Sequence, residues 1–532
     1  MNERQHPWRR WLWFGSGGAL FLIAAAAFLT IYGCSRNGGD GADALPPPTN
    51  PAATPHLPER VQHFCGSCHE NPSPDTFPRS DWKGVVQYMY ILFNDSGRPL
   101  QPPPIDEVIH YFEQRAPLHL PPADIRRADH PLPIRFARLD YPVHEGTPDL
   151  SPPHISHVNL VHLLDRHKLD VLACEMQGGA VLLLQPYLPQ PKWHVLYSVG
   201  PEKGFNPAHA EVVDLDKDGV PDILVANLGN MLPTERRCGS VIWLRGLGGG
   251  RFEPIVLLKD KGRIADVQTA DFNNDGKLDL IVASFGWNKI GEIYYLENRT
   301  DDWKKPRFDV KRIDDRHGAI HVPIADLNGD GKPDFVALIS QEHETIVAFL
   351  NDGNGRFDKR TLFKAAHPGY GSSGIQLVDL NGDGKLDLLY TNGDVLDRPF
   401  LLKPYHSVQW LENKGDFNFE HHPLTPMYGA HRAVAADLDG DGDLDIVAVC
   451  FLPPENFGEA IKEQHLDSVI VLEQTAPGVF ARHALETETC YHVTCAAGDV
   501  FASGKCDIVT SSLTSQAVKS AVTIWKNLGR GK

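Results

Sequence analysis

Residues 379–390 read Asp379-Leu380-Asn381-Gly382-Asp383-Gly384-Lys385-Leu386-Asp387-Leu388-Leu389-Tyr390, an acidic turn that runs straight into an apolar strand. The same spacing returns at Asp214, Asp216, Asp218, Gly219 and Asp222, and again at Asp271, Asn273, Asp275, Gly276 and Asp279. Two further copies stand at Asp326, Asn328, Asp330, Gly331 and Asp334, and at Asp437, Asp439, Asp441, Gly442 and Asp445. Positions one, three, five and nine offer carboxylate or amide oxygens, and position six is Gly, which accepts the backbone of a sharp turn. Oxygen donors at this spacing are hard-cation chemistry, so Ca2+ is expected at all of them.

Each loop leads into an apolar strand such as Ile223–Ala226 or Ile446–Val449, then a variable loop, then a strand such as Ile242-Trp243-Leu244. A turn and a Phe-containing strand finish the unit. Two degenerate copies flank the five, one over residues 161–173 with a shortened loop ending at Asp170, one over residues 499–510 keeping Gly504 and Asp507. Seven four-stranded units at roughly fifty- to sixty-residue spacing argue a β-propeller, because a lone blade leaves its faces bare and a ring buries them. The blades end in segments such as Arg251-Phe252, Arg307-Phe308, Arg356-Phe357 and Val479-Phe480, except the last, which stops soon after Val522–Trp525. An unclaimed matching segment, Arg135-Phe136, lies upstream, so residues 134–140 are expected to close the final blade and remove its free edge. The pattern resembles the FG-GAP or VCBS repeats of integrin-like propellers over residues 134–532, and that resemblance implies a structural rather than catalytic calcium.

Residues 65–69 read Cys-Gly-Ser-Cys-His, the signature in which Cys65 and Cys68 attach haem c covalently and His69 takes an axial position on iron. Zinc, the rival, would need a second paired motif. Met89, on a helical stretch from Trp82 to Phe93, is the expected sixth ligand as the only methionine in the segment, with His63 and His110 as fallbacks. A second helix is expected over residues 105–115, ahead of the Pro-rich stretch at 117–122. Residues 58–117 resemble the single-haem cytochrome c domains that precede propeller repeats in some bacterial envelope proteins, which implies His69/Met89 ligation.

The expected architecture is therefore multidomain, a small all-α cytochrome c domain at 58–122 and an all-β seven-bladed propeller at 134–532. Residues 1–34, basic at Arg9 and Arg10 and then uncharged to Gly33, read as a signal peptide or transmembrane anchor, and Ile31-Tyr32-Gly33-Cys34 resembles a lipobox. Residues 35–57 read as a flexible linker. The other cysteines, Cys174, Cys238, Cys450, Cys490, Cys495 and Cys506, are candidates for pairing outside the cytosol, without an assignable connectivity. A formal charge of -17 speaks against nucleic acid as a partner.

Five residues before the first Asp of the loop stand His209, Asp266 and His321 in blades two to four, with His157 at the equivalent place in blade one. They form a possible axial-channel site for a metal or an anionic or sugar ligand, while His431 and His492 lie out of register. These readings point to a c-type cytochrome transferring electrons to redox partner proteins in the bacterial cell envelope, membrane-anchored by its N-terminus, with the propeller as a docking platform for a small molecule or glycan. The alternative is a haem-linked dehydrogenase with its active site at the propeller axis. No dinucleotide fingerprint, serine elbow or paired-carboxylate constellation outside the loops marks a catalytic residue.

Overall fold

Each acidic turn joins two strands of one sheet, and seven such sheets are arranged in series. The structure, a computed structural model, describes residues 59–142, 152–396, 398–516, 518 and 520–531. The N-terminal anchor and linker readings fall on residues 1–58 and lie outside the described residues. In blade two the strands are Pro207–Val213, Asp222–Asn227, Gly239–Gly246 and Phe252–Lys261, each antiparallel to the one before. The same order recurs in every blade from Ile155–Val161 to Val479–Thr487. The architecture is an all-β seven-bladed propeller.

Apolar runs with no alternation specify strands covered on both faces. Asp222–Asn227, Asp279–Ser284, Asp334–Ile339 and Asp387–Asn392 are buried at every residue, while the outer strand Phe308–Asp314 is largely exposed. The cores lie between blades rather than within them. Phe272, Ile281 and Tyr295 of blade three pack on Phe335, Ala337 and Phe349 of blade four, and Ala433 and Ile470 of blade six pack on Leu389 and Trp410 of blade five.

Blade seven is made from both ends of the repeat region. Cys495–Gly498, Asp507–Ser511 and Ser520–Arg530 are completed by Ile134–Pro142, which pairs antiparallel with Ser520–Arg530. Phe136 stands opposite Asn527 and Leu139 opposite Ile524. Upstream of that strand a strap crosses blade six: Ala123 N–H donates to Tyr428 Oη at 2.8 Å, Arg127 pairs with Asp467 at 2.6 Å, and Ala128 N–H donates to the Arg482 carbonyl at 2.9 Å.

Before the strap, helices Glu59–Cys65, Trp82–Ser96 and Ile105–Arg115 share an apolar core of Val61, Trp82, Val86, Val108 and Phe112. The Trp82 and Phe112 rings stack with centroids 3.9 Å apart, and Trp82 Nε1–H donates to the Pro74 carbonyl at 2.9 Å. The second helix ends at Gly97, whose φ of 64° lets its N–H turn back to the Asn94 carbonyl. Lys364 of blade four pairs with Glu70, and Leu401 packs on the helical core. These helices do not by themselves show a cytochrome c domain. The cysteines of the propeller, Cys174, Cys238, Cys450, Cys490, Cys495 and Cys506, are all free thiols. Among the described residues no helix is long and apolar enough to cross a membrane.

Candidate functional site

The strands that open blades one to six each carry a bulge, and the bulge fixes which side chain reaches the axis. A register shift separates Ile155 from His157, Pro207 from His209, Ile264 from Asp266 and Ala319 from His321. The four side chains singled out in the sequence therefore occupy one structural position in four blades. The same bulge precedes Gly374 in blade five and Arg432 in blade six. Arg432 belongs to the ring as well, five residues before Asp437, although it is not a histidine.

Around the axis the His157 and His209 rings lie 4.2 Å apart between centroids, and His209 Nδ1 stands 3.1 Å from Asp266 Oδ1. His321 Nδ1 is 4.0 Å from the other Asp266 oxygen, which also accepts the Val322 N–H at 2.9 Å. The Nδ1 of His157 is buried and has no hydrogen-bond partner. Burial, and then the neighbouring His209, Arg432 and His321, push His157 well below the ordinary imidazole value. Burial, then Arg432, take His321 down to about 3. His157 and His321 are thus held neutral beside one guanidinium, itself fixed by donating from Nη1 to the Ile375 carbonyl at 2.8 Å. His431 instead meets the Val493 carbonyl, and His492 is turned to Glu486 and the Ser511 carbonyl.

The acidic turns lie at the opposite end, because they join first to second strands while the strands themselves alternate in direction. In blade two, Asp214 accepts the N–H groups of Asp218 and Gly219, each at 3.0 Å, and Asp218 accepts that of Val220 at 2.9 Å. The carboxylates of Asp214, Asp216 and Asp218 converge within 4.8 Å, as do those of Asp437, Asp439 and Asp441. In the other three loops an Asn stands at position three. The donor set fits a hard cation. Position nine has a duty the sequence reading did not give it. Asp222 accepts the Leu215 N–H at 2.9 Å on one oxygen and the Gly246 N–H at 2.6 Å on the other. Asp279, Asp334, Asp387 and Asp445 repeat this, and so does Asp507 in the degenerate blade seven. These aspartates pin the turn to the third strand whether or not a cation loop is present.

In the helical segment, Cys65, Cys68, His69 and Met89 line one apolar cavity with Phe64, Trp82, Val86 and Phe112. The fallback ligands His63 and His110 are exposed and do not line it. His69 Nδ1 is 2.7 Å from the Glu70 carbonyl, which selects the tautomer whose Nε2 carries a lone pair, and burial lowers the ring to about 4. Burial pushes the free thiol of Cys65 up to about 12, and Cys68 is disulfide-bonded. An imidazole, a thioether and an apolar wall fit a flat macrocycle with a central metal. Covalent attachment through both cysteines would first require Cys68 to be reduced.

Residues 214–282, 291–390 and 392–448 match the family model described as FG-GAP-like repeat. Blades two to six carry FG-GAP-like repeats. The chain is 27% identical over 224 residues to a protein named T-cell immunomodulatory protein homolog from Plasmodium yoelii yoelii, covering 36% of this chain and 30% of the relative. It is 28% identical over 218 residues to the homolog from Plasmodium falciparum (isolate 3D7), covering 35% and 30%. The chain thus spans about 30% of the length of these relatives. Among solved structures, BBS1N in complex with ARL6DN, soaked with lead, aligns with a TM-score of 0.43 and 11% identity over 75% of this chain and 99% of that one.

These findings correct the functional expectation. The relatives that match are named for immunomodulation and the matched model describes FG-GAP-like repeats, so neither an electron-transfer cytochrome nor a haem-linked dehydrogenase is supported. The labels haem, cytochrome c and electron transfer find no support in these relatives, and a transmembrane segment finds none in the described residues.

Proposed function

We propose that the chain is a binding protein whose calcium-stabilised FG-GAP propeller takes a small anionic ligand, such as an acidic sugar of a glycan, at its axis. The observation that carries this reading is the ring of His157, His209, Asp266, His321 and Arg432, delivered to one position by the same bulge. Arg432 supplies a fixed positive charge, and the neutral imidazoles of His157 and His321 can gain protons when an anion arrives. Asp266 places a carboxylate 3.1 Å from His209 Nδ1 and 4.0 Å from His321 Nδ1. A recognition role also agrees with the name of the relatives, T-cell immunomodulatory protein homolog, which describes an effect on T cells. Calorimetric titration of the full-length protein with inorganic phosphate and with a uronic acid tests the reading. Arg432→Gln should weaken binding at least tenfold, and His321→Gln should flatten its rise toward acid pH. If both variants bind like the parent, the axis is not the site.

The cofactor complement proposed with it is Ca2+ at the five acidic turns and, as a bound group with no electron-transfer role assigned, haem c at Cys65, Cys68, His69 and Met89. The support for the second is the shared cavity of these four side chains. Intact-mass measurement before and after treatment with a reductant and haem decides it, since thioether bonds survive denaturation. A mass equal to the bare chain in protein made under haem-attaching conditions removes haem from the complement.

A further inference from the structure

A second group of potential ligands lies in blade four, outside the axial ring and the acidic turns. His317 precedes the opening strand Ala319–His321, and Glu342 and His343 sit in the turn between Asp334–Ile339 and Thr345–Asn351. Turn and strand start are at the end of the propeller opposite the acidic loops. His317 Nε2 is 2.7 Å from Glu342 Oε2, and His343 Nε2 is 3.7 Å from Glu342 Oε1. All three ligand atoms lie within 4.8 Å of one another. Donors each about 2.0 Å from a tetrahedral ion stand about 3.3 Å apart, so these separations bracket what one ion requires. The side chains of His317 and Glu342 are 5% and 1% exposed, and that of His343 is 16% exposed.

We propose that His317, Glu342 and His343 form a site for a borderline divalent cation of the zinc class. The independent observation is His343 Nε2, which is buried, has no hydrogen-bond partner and faces the carboxylate. Burial, then His317, hold His343 well below the ordinary imidazole value, so it presents a lone pair rather than a proton. The turn is held in an unfavourable conformation to do this, with φ of 59° at Gln341 and 40° at Glu344 on either side of the two ligands. Two imidazoles and one carboxylate give three protein ligands and leave a fourth position for water or a substrate oxygen. Nitrogen donors set the site apart from the acidic turns, where every donor is oxygen.

The test uses full-length protein stripped with a chelator, then saturated with Ca2+ so that the oxygen loops are filled, and titrated with Zn2+. One equivalent should bind, with affinity falling at least tenfold in Glu342→Gln and in His343→Gln. Co2+ in place of Zn2+ should give visible ligand-field bands without the near-ultraviolet band of a thiolate ligand. Should Glu342→Gln fail to fold, His343→Gln, on the partly exposed turn, carries the test alone. An equivalent retained at parental affinity in His343→Gln, a thiolate band, or no binding at all overturns the proposal.

Discussion

Glu486 shows what a single carboxylate contributes at the seam of the ring. It accepts from His492 Nε2 at 2.6 Å and pairs with Arg138 of the closing strand. Burial alone would raise its pKa, but the His492 hydrogen bond and the charges of His492 and Arg138 outweigh it and bring Glu486 down to about 2. A folded value below the unfolded value of about 4.3 contributes stability that is complete above pH 4.3 and lost as pH falls toward 2. Glu486→Gln should therefore cost about 3 kcal/mol at neutral pH and remove most of the acid sensitivity between those limits. Denaturant unfolding at pH 7, 4 and 2.5 measures both, and equal losses at all three would show that the charge is irrelevant. Residues of this kind are hard to read from sequence. The axial ring was legible because a repeat fixes its register, whereas His317, Glu342 and His343 share no motif and are brought together by the hairpin of blade four. Met89, which lines the cavity with Cys65, Cys68 and His69, stands out in the sequence only as the one methionine of its segment.

At the scale of the element, the acidic turn does two jobs that its sequence does not separate. Positions one, three and five are the proposed cation ligands, and their contacts lie within five residues, so their pattern recurs visibly. Position nine reaches a backbone N–H on the third strand, Asn413 for Asp387 at 2.7 Å and Asn527 for Asp507 at 2.8 Å, and variable loops hide that partner. Blade seven lacks the full cation loop, so Asp507→Asn isolates the pinning role. It should lower stability by about 1–3 kcal/mol equally with and without Ca2+. Chelation of the parent protein should lower its melting temperature, since each ion contributes about 2.7 kcal/mol at a hundredfold excess over its dissociation constant. Scanning calorimetry of both proteins in Ca2+ and in chelator separates the effects. A melting temperature unmoved by chelator would remove calcium from the turns.

For the whole molecule the deciding feature is a ring closed by Ile134–Pro142. A chain beginning at residue 145 loses that strand, uncovers Ser520–Arg530 and should aggregate, because an unpaired edge recruits other strands. A chain beginning at residue 120 keeps both the closing strand and the strap on blade six, and should remain soluble with a melting temperature near that of the intact propeller. Light scattering and thermal melts of the two distinguish them, and equal behaviour would demote residues 123–142 to a linker. The seven blades and this closure were readable because a missing segment at one end matched a surplus one at the other. The strap was not, since its contacts with Tyr428, Asp467 and Arg482 follow no repeat.

Closure also sets a clock on the ribosome. Asp140 leaves the exit tunnel early, yet its partner Thr523 follows 383 residues later. At about 5–20 residues per second the first strand waits roughly 20–80 s for its mate, with one blade edge bare throughout. Slower translation lengthens that interval and faster translation shortens it, so codon usage in the last blades would alter the yield of folded protein without changing a single amino acid.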